Sequence, residues 1–103
     1  MKEALKIAKK ILSGEVDILL GSVKLDSLLN QNLSEEEYYE SDFIIIKGVA
    51  SEVDDLPIGK EREEWSEEAL KTKDMEIEEF KSQYRQEVIS ACHILVNKYK
   101  YVV

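Results

Sequence analysis

The sequence predicts an all-α fold: one compact helical bundle over residues 1–103, with an N-terminal helical hairpin and a long C-terminal helix. Three observations carry that expectation. Apolar residues recur at helical spacing through the last quarter of the chain; two helical-period segments near the amino terminus are separated by little more than Ser13-Gly14; and the one strand-like run has no second run to pair with. A chain of 103 residues, 44% of them apolar, suffices for one core of roughly three to five helices and is too short for an accessory domain.

Each element has its own local reason. From Lys2 to Leu12, Leu5, Ala8 and Leu12, flanked by Ile7 and Ile11, fall on one side while lysines at 2, 6, 9 and 10 fall on the other. Ser13-Gly14 ends that helix, and a second runs from Val16 to Leu29 with Val16, Leu19, Leu20, Val23, Leu28 and Leu29 as its apolar set and Gly21 as a tolerable interruption. Asn30-Gln31-Asn32 reads as a polar break. Ser34-Glu35-Glu36-Glu37 then has the capping-box form, predicting a short acidic helix or turn over Glu35–Glu40. Of its two tyrosines, Tyr38 and Tyr39, either one ring pins the turn to the core or the pair forms a contact surface.

Segment 43–53 has two readings. Its triple isoleucine suits a strand, whereas Phe43, Ile46, Val49 or Ala50, and Val53 fit a buried helix capped by Ser41; the helix is preferred because a strand would lack a partner. Asp54–Glu64 holds the only proline, Pro57, and the last glycine, Gly59, and reads as the one real loop, closed by Trp65. Ser66 caps the final helix, Glu67 and Glu68 suit the positive end of its dipole, and Ile77, Phe80, Tyr84, Val88, Cys92, Leu95 or Val96, and Tyr99 make a continuous stripe.

Charge is distributed unevenly. The net charge is −8, yet residues 35–79 alone hold seventeen acids against five bases, and the two ends are slightly basic. Such a field repels phosphate backbones and anionic lipid and attracts a basic protein surface, so neither nucleic-acid nor membrane binding is expected. A single cysteine allows no intrachain disulfide, and Met1-Lys2-Glu3-Ala4-Leu5 lacks the pattern of a signal peptide; a cytoplasmic protein is the expectation.

No catalytic apparatus stands out. His93 is the only histidine, and a helix turns it about 100° away from Cys92, so the two read as a surface or structural residue and a small core residue rather than a dyad. One cysteine and one histidine do not make a four-ligand metal shell, and Ser51-Glu52-Val53-Asp54-Asp55 is too compact for a calcium loop. Glycines at 14, 21, 48 and 59 match no phosphate-binding loop. The expectation is therefore a non-enzyme with no cofactor or metal. Above background stands an acidic surface around potential anchors: Tyr38, Tyr39 and Glu40 in one stretch, and Glu52, Asp54, Asp55, Glu61, Glu64 and Trp65 in the other. Rings supply desolvated area and carboxylates supply steering, which is what a fast interface with a basic protein needs. The opposing reading makes Trp65 and Leu56 core plugs and the acids a solvated face.

Ser51-Glu52-x-Asp54-x-Leu56-Pro57-x-Gly59, followed by Arg62, Trp65 and the Ala91-Cys92 step, resembles a group of small bacterial cytosolic proteins over most of the chain. Proteins of this size, acidity and type are similar to immunity proteins of contact-dependent growth inhibition and related toxin systems. The resemblance implies a cognate toxin as partner, often a basic nuclease such as a ribonuclease, whose active site is covered by carboxylates standing where substrate phosphates would. It singles out Glu52, Asp54, Asp55 and Trp65 and leaves open whether they shape the fold or meet the toxin. A monomer or weak homodimer is expected. Two rival readings are a regulatory or adaptor subunit of a bacterial complex, homodimeric through the long helix, and an enzyme built on carboxylates and a divalent metal.

Overall fold

The computed structural model describes residues 1–101. Among them the ordered elements are α1 (Lys2–Ser13), α2 (Ile18–Asn32), α3 (Glu35–Tyr39), α4 (Ile45–Glu52), a 3-10 turn (Lys60–Glu64) and α5 (Glu67–Lys98), with no strand.

Helix α1 buries Ala4, Leu5, Ala8 and Ile11 and ends where Gly14 enters the left-handed region at φ 82°, its N–H donating to the Ile11 carbonyl. A Cβ at that φ would be strained, so glycine there is a backbone requirement. The expected hairpin forms, with α2 folding back on α1. It starts later than its apolar pattern suggests, because the Asp17 carboxylate accepts from the Leu19 and Leu20 amides, 3.0 Å each, and so fixes the N-cap one residue beyond Val16. It also runs through the expected polar break: Asn30-Gln31-Asn32 is the last turn of α2, where Asn32 donates to the Leu28 carbonyl at 2.7 Å and accepts from the chain's amino terminus. Side-chain amides stabilise this turn instead of ending it.

The Ser34–Glu37 capping box forms in both directions, at 3.1 and 3.0 Å. Segment 43–53 forms a helix rather than a strand, but only over Ile45–Glu52; Phe43 and Val53, in the flanking turns, are buried together with Ile46 and Val49. Ser41 is not its cap, however. The Ser41 hydroxyl donates to the Tyr38 carbonyl at 2.6 Å and so closes α3, while α4 begins after Ile44 with no side-chain cap.

Helix α5 is capped by Ser66, whose oxygen accepts from the Ala69 amide at 3.2 Å. Its 32 residues rise about 48 Å at ~1.5 Å each, which accounts for the 46 Å long axis of the molecule. The first residue it buries is Ile77, so its opening turns project past the core. Farther on, Val88, Ala91, Cys92 and Leu95 pack against α1, α2 and α4, and Phe80, Tyr84, Val96 and Tyr99 flank them. The predicted stripe is thus the seam that joins α5 to the bundle, and one core lies between α1, α2, α4 and α5.

Helix α2 carries more apolar residues than one face can hide. Leu19, Leu25 and Leu29 are buried, whereas Leu20 and Leu28 are half-buried and Val23 is 38% exposed. That surplus row shapes the surface described next.

Candidate functional site

A groove follows the outward row of α2, its floor set by Asp17, Leu20, Val23, Ser27 and Asn30 at helical spacing. It consists of four adjoining concavities that share lining residues, of about 220, 460, 300 and 390 Å³ from the Asn30 end to the Asp17 end. Helix α4 and the loop at 58–61 supply its opposite wall, and Ile77, Glu78 and Lys81 of α5 join near Asp17.

At the Asn30 end the polar groups satisfy one another. The buried Tyr38 hydroxyl donates to Asp26 at 2.8 Å, and burial, reinforced by that carboxylate, pushes the phenol well above its ordinary range. Lys47 donates to Asn30 at 2.9 Å, stands 3.6 Å from Asp26, and lies over the rings of Tyr38 and Tyr39 at 4.9 and 5.9 Å. The other end is also internally paired. Arg62 forks onto both Asp74 oxygens at 2.7 and 3.1 Å and reaches the Pro57 carbonyl at 3.1 Å, tying the loop to α5. The guanidinium holds the Asp74 carboxyl below the usual carboxylate range.

Asp17 pairs with Lys81 at the same end. Partial burial works to raise its carboxyl, but the hydrogen bonds from Lys81 and from the Leu20 and Leu19 amides outweigh burial and lower it. A carboxyl lowered on folding adds stability above its unfolded pKa and loses it as the pH falls through the folded value. An asparagine side chain at this position would still cap α2 but would not attract Lys81 as an ion. Asp17→Asn is therefore expected to reduce the fall in stability below about pH 4, measured as urea midpoints at neutral and acid pH; an unchanged acid sensitivity would place the acid-labile contacts elsewhere.

Between these ends, next to a polar stretch lined by Asp26, Ser27, Asn30 and Ser51, one concavity is mostly apolar, walled by Leu20, Val23 and Ile58 over the buried Val53, with exposed Asp54 and Glu61 at its rim. Two of the carboxylates singled out in the sequence thus come to one place. Tyr39, 57% exposed, joins them at the Asn30 end. Tyr38, which lies beneath the Asn30-end concavity, is the ring that pins the turn: it is 1% exposed and stacked obliquely on Phe43 at 6.2 Å. Glu40, Glu52, Asp55 and Glu64 are exposed but do not line the groove, so they contribute charge without shape. Trp65 is half-buried and stands apart from the residues packed on the core, its backbone N–H closing the 3-10 turn onto Arg62. Leu56, by contrast, packs against the core.

The groove's central residues, Leu20, Val23 and Ile58, and Lys47 at its end carry no signal in the sequence that separates them from core or solvent residues. Cys92 is fully buried, and burial raises its thiol to about 12, which disfavours the thiolate. His93 beside it is exposed. Among the described residues no group of three His, Cys, Asp or Glu converges as a metal site.

Residues 3–95 match the model of a family described as "Protein of unknown function (DUF2489)", and the chain belongs to that family. No curated protein and no solved structure matches it.

Proposed function

We propose that this member of the DUF2489 family acts by binding a basic protein, as a toxin-neutralising immunity protein does, covering the partner's working surface without catalysis. The observation that supports this reading is the stretch 52–64, which carries six acids against two bases and edges an apolar concavity. Carboxylates beside desolvatable side chains combine long-range steering with a surface to bury. A basic nuclease domain suits such a surface, because the charges that attract substrate phosphates attract these carboxylates equally well. The buried Cys92 and exposed His93 contribute packing and surface rather than nucleophile and base.

The test is affinity capture from the native host with the full chain as bait, followed by titration of the purified partner. The expected partner is basic, binds one to one, arrests growth when expressed alone and is tolerated when co-expressed with this chain. Raising salt from about 50 to about 500 mM is expected to weaken the complex tenfold or more, since exposed charge pairs are screened over this range. Salt-independent binding, or a harmless multi-subunit partner, would replace this reading with the adaptor one.

A further inference from the structure

We propose that the groove along α2 receives an amphipathic α-helix of the partner, one that carries Lys or Arg beside a short apolar row. This rests on the reading above and names the element that makes the contact.

The shape argument comes first. From Asp17 to Asn30 the floor extends about 20 Å at ~1.5 Å per residue, and its side chains recur at intervals of three or four residues. A second helix lays its own ridges between such rows. The backbone argument points the same way. The amides and carbonyls of α2 and α4 are spent within their own helices, so an extended segment would find few main-chain partners, whereas a helix brings its hydrogen bonds with it.

Charge then defines what the helix carries. Both ends of the groove hold internal ion pairs, Lys81 on Asp17 and Arg62 on Asp74 at one end and Lys47 beside Asp26 at the other, and each end keeps one further acid: Glu78, which shares Lys81, at the first and Glu35 at the second. Among the described residues, Asp54 and Glu61 enter no ion pair, and they flank the apolar concavity formed by Leu20, Val23, Val53 and Ile58. Lys60 shares that rim and offsets one of them, yet the stretch 52–64 stays net negative. A complementary helix therefore presents two or three apolar side chains at its centre with cations alongside them.

The probe is a synthetic leucine–lysine peptide of about 14 residues, the groove's span at ~1.5 Å per residue, with one apolar face. It is titrated into the isotope-labelled full chain by NMR and by fluorescence anisotropy. Saturable shifts are expected to centre on Leu20, Val23, Val53 and Ile58. Asp54→Lys with Glu61→Lys is expected to weaken binding about tenfold at low salt, and Val23→Glu, a surface change, to do the same; Glu52→Lys with Asp55→Lys alters the net charge equally but is expected to cost less than about twofold. Equal losses from both double variants, shifts centred elsewhere, or no saturable binding would overturn the groove assignment. So would concentration-dependent shifts at these residues without peptide, which would assign the groove to a second copy. None of these outcomes touches the salt-sensitive binding of a basic partner, which stands or falls on the captured complex.

Discussion

Gly21→Val is expected to destabilise the protein by about 3 kcal/mol, at the upper end of what overpacking a well-filled core costs. A Cβ at position 21 would lie 2.6 Å from Ile11 Cγ1 and 2.8 Å from its Cδ1, with Val16 at 3.1 Å. Ile11 is itself 3% exposed and has little room to turn away. At this glycine α2 therefore lies too close to the Ile11 side chain of α1 to admit a Cβ. Valine adds two further carbons to that Cβ, so α1 and α2 must separate or Ile11 must leave its rotamer. Alanine at the same site sets a gain of about 1 kcal/mol in helix propensity against a contact penalty of about 1–3 kcal/mol, and is expected to be mildly destabilising.

Gly48 supplies the contrast. It also lies within a helix, but a Cβ there meets nothing within 4 Å, so Gly48→Ala is expected to stabilise by about 0.5–1 kcal/mol. Urea titrations followed by circular dichroism read all three changes. A Gly21→Val midpoint equal to that of the parent would mean that the helices are not in contact at this position.

Tyr38→Ala is expected to cost about 4 kcal/mol, in the range for deleting a large buried ring. The side chain is 1% exposed, packs on Phe43 and underlies Lys47. It also anchors α3, whose five residues are too few to persist without tertiary support. Tyr38→Phe separates packing from polarity. It keeps the ring and the lysine above it and removes only the hydroxyl donated to Asp26. Asp26 retains 19% side-chain exposure and a lysine 3.6 Å away, so this loss is expected to be about 1 kcal/mol. A Tyr38→Phe cost matching that of Tyr38→Ala would transfer the anchoring role from the ring to the hydrogen bond.

Both sites show why the sequence is legible in some places and opaque in others. Gly21 reads as a tolerable interruption because its neighbours in the chain do not include Ile11, ten residues earlier. The tyrosine pair can be narrowed to one anchor and one exposed ring, but which ring turns inward depends on where Asp26 and Phe43 lie. Ser41 fits the pattern of a cap for the following helix and instead closes the preceding one, since its hydroxyl is bonded to the Tyr38 carbonyl and α4 starts without a side-chain cap. The candidate site divides similarly. The acidity of 52–64 is plain in the letters, whereas Asp54 and Glu61 come to line one concavity because the loop around Gly59 lies against Leu20 of α2.

The linear chain alone settled the all-helical class, the capping box at Ser34, the Ser66 cap of the last helix and the apolar stripe that runs through Cys92. Such features are governed by interactions within about one or two helical turns, for which residue spacing is sufficient. Tertiary packing alone decided that Val23 is left facing outward, that Lys47 is held over two tyrosines, and that an apolar concavity opens within a groove lined by ion pairs. Those outcomes depend on how α2 is rotated against α1 and α4, and helix rotation is set by the fit of surfaces distant in the chain.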